Sequence, residues 1–186
     1  RRGWTFHHHE LVGALRRFAA DTAGVTYVED VRVTAVRPGE VTLETRDGPP
    51  QRVGTGLIVG ADGRSSIVRA ALGLDPGSEP ISRMAGVIAR GVELPREGFG
   101  HVFLGGPGPV LAYRIGPGEV RLCLDVPSDR ADLRDKRDSW AALHHGFAPI
   151  LPRPIAAGLM RALAEEGPQW AGLRFRPRVA YGAPWA

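Results

Sequence analysis

The chain has 186 residues, 43% of them hydrophobic and 24% charged. That is enough apolar material to bury a core, and it excludes disorder throughout. No apolar run approaches the ~18 residues needed to span a bilayer, no basic-then-apolar segment opens the chain to suggest secretion, and the single cysteine, Cys123, excludes a disulfide framework or a multi-cysteine zinc site. The isoelectric point is about 10.0 although the net charge is only +4, because Lys136 is the sole lysine and the other basic residues are arginines, which do not titrate in this range. The arginines are scattered instead of gathered into a patch with aromatics, which argues against nucleic acid as a partner.

The pattern predicts a helix from about His8 to Ala20, with Leu11, Leu15 and Phe18 on one buried stripe. A short strand is expected at Val25–Val28, then a hairpin of residues 31–36 and 41–45 around the turn Pro38-Gly39. Leu57-Ile58-Val59 is a continuous apolar run, expected to be a strand buried on both faces. A helix follows at about Ser66–Leu72, with Ser65 or Ser66 as its cap and Gly73 as its stop. Asp75-Pro76-Gly77-Ser78 reads as a joint between domains. Beyond it, strand-like runs at Met84–Val92, His101–Leu104, Val110–Ile115 and Val120–Val126 suggest an antiparallel meander. Helices are expected at about Arg130–His145 and Pro154–Glu165, and a last strand at Arg174–Tyr181. With 25 glycines and 16 prolines the elements should be short and the turns many.

Most chemical motifs fail. His9-Glu10 lacks the second histidine of a zincin helix, since Gly13 stands in its place. No glycine completes a nucleophile elbow around Ser65 or Ser66. Lys136 is followed by Arg137 and forms no phosphate loop. Gly54-Thr55-Gly56 precedes a strand-like run, the reverse of a dinucleotide fingerprint. Cys123 reads as a small core residue.

One constellation survives. Residues 57–69 read L-I-V-G-A-D-G-R-S-S-I-V-R. A strand-like run ends in a small-residue turn carrying one carboxylate, Asp62, and a capped helix starts at once. Open α/β sheets bind ligands at such strand ends. A plain Asp-Gly turn before a capped helix explains the same pattern.

This stretch resembles the DG motif of FAD-dependent monooxygenases of the para-hydroxybenzoate hydroxylase type, G-A-D-G-x-x-S-x-V-R, with Asp62, Gly63, Ser66, Val68 and Arg69 at the matching positions. A narrower resemblance is to squalene epoxidases. Trp4-Thr5-Phe6-His7-His8 followed by Leu15-Arg16 is similar to their F-H-H-…-L-R segment, and residues 109–115, PVLAYRI, to their P-V-L-I-Y-Q-I run. Residues 120–127 and Leu173-Arg174 with Pro177 continue the match in order. His9-Glu10-Leu11 departs from the family's Gly-Arg-Phe, and residues 73–100 match loosely.

The resemblance implies a mixed α/β (α+β) fold: residues 1–75 as part of an FAD-binding Rossmann-type domain, and 76–186 as a substrate domain with an antiparallel sheet and helices. The family's glycine-rich fingerprint and its G-D segment are not in this sequence, so the chain is expected to be the middle of a longer flavoprotein, inactive by itself. It implies FAD as cofactor, NADPH or a reductase as electron source, and O2 added to an apolar alkene such as squalene through a flavin hydroperoxide. Aromatic hydroxylation, polyprenyl reduction and a non-catalytic α+β binding domain are the alternatives. Arg16, Val31, Arg32, Asp62 and Gly63 are the implied FAD-binding residues; Phe103, Leu111, Tyr113 and Leu122 are candidates to line the substrate. No metal is expected, no catalytic side chain is named, and the location is expected to be cytoplasmic, with membrane association of the complete protein.

Overall fold

The computed structural model describes residues 4–63, 65–74, 79–133 and 139–175. Within these, residues 4–14 and 79–175 form one compact unit and residues 15–74 another. Both are built from helices and antiparallel sheets, the mixed α+β class that the resemblance implies. The joint expected at Asp75–Ser78 lies outside the described residues. No described helix is long and apolar enough to cross a membrane.

Helix α1 (His8–Ala20) carries the chain from the first unit into the second. Its apolar stripe is regular, yet none of its residues is buried, and Phe18 is 72% exposed. A stripe is buried only where an element packs on it, and among the described residues none covers this one. The predicted burial of Leu11, Leu15 and Phe18 is therefore corrected.

In the second unit, β1 (Val31–Arg37), β2 (Glu40–Thr45) and β3 (Gln51–Gly54) form a three-stranded antiparallel sheet in that order. The β1–β2 hairpin turns at Pro38-Gly39, where Gly39 takes φ +72°, and its register slips by one residue between Val33 and Ala35. Both faces of β2 are half-covered, so neither is buried outright. Helix α2 (Ile67–Ala71) lies against β1. Two predicted strands are corrected. Val25–Val28 and Leu57–Val59 have no ladder partner among the described residues, and Leu57 and Val59 are each 77% exposed. β-branched composition favours extended backbone, but a strand exists only with a neighbour to receive its hydrogen bonds.

The other unit holds the core. Strands β4 (Glu79–Arg90), β5 (His101–Phe103), β6 (Val110–Gly116), β7 (Glu119–Pro127) and β8 (Gln169–Phe175) form an antiparallel sheet ordered β5-β6-β7-β4-β8. The β5–β6–β7 meander is as predicted; β8 begins earlier than expected, and residues 176–181 of the expected strand lie outside the described residues. Helices α3 (Ser139–Phe147) and α4 (Arg153–Glu165) cover one face. Residues 134–138 of the longer helix expected there are also outside the described residues; a short 3₁₀ turn, Ala131–Leu133, precedes them. Pro154 sits in the first turn of α4, where its missing N–H costs nothing.

Alternation decides which side chains meet the helices. Ala85, Val87 and Ala89 of β4, Val110 and Ala112 of β6, and Val120, Leu122, Leu124 and Val126 of β7 pack with Leu143, Phe147, Ile155, Leu159 and Leu163. Gly158 lets α4 approach closely: a Cβ there would come within 2.3 Å of Val92 Cγ2 and 3.3 Å of Ala89 Cβ.

Candidate functional site

The surviving motif folds into a self-capped turn. Gly63 takes φ +77°, a left-handed conformation that favours glycine. The chain then doubles back so that Asp62 reaches the start of α2. Asp62 Oδ2 accepts the N–H groups of Ile67 at 2.7 Å and Val68 at 3.3 Å. Ser66 is the N-cap, and its Oγ accepts the N–H of Arg69 at 3.0 Å. The first helical bond, from Ala70 N–H to Ser66 O, completes the set. A helix N-terminus ordinarily leaves its first N–H groups unsatisfied; here two side chains take them. These bonds occupy the first N–H groups of α2, so what the loop presents is the Asp62 carboxylate.

That carboxylate stays ionised to an unusually low pH. The Ser66 hydroxyl bond is the main cause, with the N–H groups of Val68, Asp62 and Ile67 adding to it against some desolvation. It is exposed and acceptor-only, so it suits hydroxyl donors and repels phosphate. Gly60 and Val68, both in the motif, explain each other. A Cβ on Gly60 would lie 2.7 Å from Val68 Cβ and 2.8 Å from its Cγ1, so backbone and helix touch only because residue 60 has no side chain. The Schellman-like end of α2, with Gly73 at φ +67° and bonds from Gly73 N–H to Ala70 O and Leu74 N–H to Arg69 O, holds the turn from the other side.

Arg16 is exposed on α1. It lies near enough to Tyr27 to oppose the upward shift of that phenol, which desolvation and the Glu29 carboxylate produce. Val31 and Arg32 open β1 opposite Thr45 and Glu44. Among the described residues no hydrogen bond or ion pair joins Arg16, Val31 or Arg32 to Asp62 or Gly63; α2 packs against β1, the strand that Val31 and Arg32 open.

In the other unit the four substrate-lining candidates separate by face. Leu122 is fully buried against the helices and Phe103 packs beside that core. Leu111 and Tyr113 point the other way, alternating with Val110 and Ala112. Tyr113 sits opposite Arg121, and its hydroxyl lies 3.8 Å from Cys123 Sγ. Burial, then the Cys123 thiol, raise the Tyr113 phenol.

Sequence reasoning missed a polar chain at the sheet end. Glu119 accepts from His7 Nε2 at 2.8 Å and pairs with Arg90 Nε at 3.3 Å, while Arg90 also pairs with Glu166. Thr5 Oγ1 donates to the Arg114 carbonyl, so residues 5–7 are fastened to the β6–β7 hairpin. Residues this far apart in sequence left no local signal. The double capping of α2 did leave one: a carboxylate four residues before a serine N-cap.

The fold matches part of two solved flavoproteins. The chain superposes on the flavin-dependent halogenase CmlS with a TM-score of 0.65 and 18% identity, over 91% of this chain and 31% of that one. It superposes on HpxO of Klebsiella pneumoniae, solved with FAD, with a TM-score of 0.62 and 23% identity, over 89% and 43%. The squalene epoxidase family model matches residues 55–175, which begin just before the motif and end with β8, and the chain belongs to that family. It is 29% identical to squalene monooxygenase SE1 of Panax ginseng over 99% of its own length. It spans about a third of the length of the curated relatives it matches (35%, 34% and 32% of the first three).

Proposed function

We propose that the whole protein is an FAD-dependent monooxygenase that places one oxygen atom of O2 on an apolar alkene such as squalene. The observation that carries this is the self-capped turn at 60–69, which presents an ionised, acceptor-only carboxylate in a member of the squalene epoxidase family. The residues fit FAD by complementary chemistry. Asp62 would accept the ribityl hydroxyls, with Gly63 leaving the backbone accessible beside them. Arg16 would take the pyrophosphate, for which a planar guanidinium is suited. The backbone of Val31 and Arg32 would meet the adenine. When bound, FAD supplies the redox chemistry; the chain's own work is to hold it, keep water out and shape an apolar surface.

NADPH, directly or through a reductase, is the proposed electron donor. A cytoplasmic site at a membrane surface, where such an alkene dissolves, is the proposed location. The test is product analysis: purified whole protein with FAD, NADPH, a reductase and squalene should yield the epoxide. Its absence from a flavin-loaded, reducible protein overturns the substrate, and failure to retain FAD overturns the class.

A further inference from the structure

On the face of the five-stranded sheet away from α3 and α4, the register aligns three cross-strand rows. One is Ile88–Arg121–Tyr113, the next Gln169–Gly86–Cys123–Leu111–Val102, the third Ala171–Met84–Asp125. The middle row is low where Gly86 and Cys123 meet, and larger side chains stand on both sides. A cavity of about 230 Å³ opens there, lined by Met84, Gly86, Ile88, Arg121, Cys123 and Glu166 among others.

Gly86 is the informative residue. A glycine inside a strand weakens it and ordinarily marks a bulge, a close backbone approach or a ligand. No bulge exists here: the β4–β7 register runs unbroken from Ser82 to Arg90, and the β4–β8 slip lies at Pro80/Ser82. Its φ is not left-handed. Nor does packing require it, since an added Cβ would find the Gln169 carbonyl oxygen at 3.6 Å, an ordinary contact. This contrasts with Gly60, Gly108 and Gly158, where a Cβ would strike Val68, Asp125 or Val92 below 3 Å. Neither backbone nor neighbours account for the glycine, which leaves something approaching from the open side.

We propose that Gly86 sets the depth of a trough that seats one segment of the apolar alkene chain, and so determines which chains the enzyme accepts. This rests on the functional reading above. The occupant follows from the lining: Met84, Ile88, Cys123 and Ala171 offer carbon and sulfur, and the row continues through Leu111 to Val102, which is 61% exposed. The volume is below the ~300–1,000 Å³ of sites that enclose a drug-sized ligand, so a segment is held, not the whole chain. Arg121, Glu166 and Gln169 supply polar edges.

The test uses the whole enzyme with Gly86→Ala and Gly86→Val. Added side chains at a strand site without clashes should leave the melting temperature unchanged or higher. The KM for squalene should rise severalfold in the alanine variant and at least tenfold in the valine variant, with flavin reduction by NADPH in the absence of squalene unaltered. A folded Gly86→Val enzyme with the parent's KM overturns the proposal. If valine prevents folding, the alanine variant decides by the same criterion. A parent enzyme that leaves squalene unoxidised refutes the functional reading separately. Equilibrium binding of radiolabelled squalane, the saturated chain, then reads the trough, and equal affinities in parent and variant overturn the proposal.

Discussion

Replacing Gly60 by alanine tests whether the motif is a rigid piece of geometry or a loose turn. The new Cβ would sit 2.7, 2.8 and 3.0 Å from Val68 Cβ, Cγ1 and Cγ2. Those atoms belong to a β-branched side chain with little χ1 freedom, on a helix whose first turn is tied down by Asp62 and Ser66. Overpacking of this kind costs about 1–3 kcal/mol. Relief requires α2 to move away from the turn, which pulls Ile67 and Val68 off the Asp62 carboxylate. If that energy is lost from the cofactor-ready conformation, FAD affinity of the whole protein should fall roughly five- to hundredfold. Equilibrium titration of apoprotein, read by flavin fluorescence, measures it. Val68→Ala in the same protein removes both Cγ atoms and should recover part of the loss, so the double variant binds better than the sum of the single effects predicts. Unchanged FAD affinity in Gly60→Ala, or a double variant no better than Gly60→Ala alone, would refute the argument that these two positions fit against each other.

Arg16→Ala should weaken FAD affinity roughly ten- to hundredfold, the loss expected when a charged partner worth about 1.5–3 kcal/mol is removed, without moving the melting temperature, because the side chain is exposed; equal affinity by titration removes it from the site. Asp62 is held below the ordinary carboxylate range, so its contribution is present above the unfolded-state value and lost as pH falls through the folded one. Ser66→Ala deletes the main cause of that shift and should move the acid limb of FAD retention to higher pH, readable as flavin absorbance retained after gel filtration at stepped pH; an acid limb that does not move would show that Asp62 plays no part in retention. Gly158→Ala gains about 1 kcal/mol of helix propensity but places a Cβ 2.3 Å from Val92 Cγ2, where overpacking costs about 1–3 kcal/mol; a net loss of stability in denaturant melts is expected, and a more stable variant would show that α4 lies farther from β4.

The parts of the fold that were legible in the sequence share a physical cause. The β1–β2 hairpin, the β5–β7 meander and α4 are each specified by neighbours in the chain: a Pro-Gly or Gly-Pro-Gly turn, an alternating strand or a proline at a helix start. The misreadings concern Leu11, Leu15, Phe18 and residues 57–59, where apolar pattern was equated with burial. Pattern states what a segment can bury; burial also needs a partner surface, which a local window does not contain. The candidate site shows the same division. Asp62, Gly63 and Ser66 were visible as a motif, but who bonds to whom was not, because the Asp62 contacts span five and six residues across a left-handed turn.

The capping arrangement changes what the motif can mean chemically. An aspartate spent on its own helix would ordinarily be structural. Here the same bonds that cap α2 also keep the carboxylate charged and fix its direction, while leaving it exposed. An anion held this way repels phosphate, so in the proposed function a dinucleotide would meet it through hydroxyl groups and its phosphates would need a cation elsewhere. Arg16 is a cation of that unit with an exposed side chain and no ion-pair partner among the described residues. In the proposed function Asp62 would take the hydroxyls and Arg16 the phosphates, a division that charge alone favours. It also fixes the outcome of exchanging their types: Asp62→Asn, which keeps an acceptor oxygen but removes the charge, should retain FAD better than Asp62→Arg, whose guanidinium can neither cap α2 nor accept a ribityl hydroxyl. Comparable FAD retention by the two variants would mean that the carboxylate serves the turn alone.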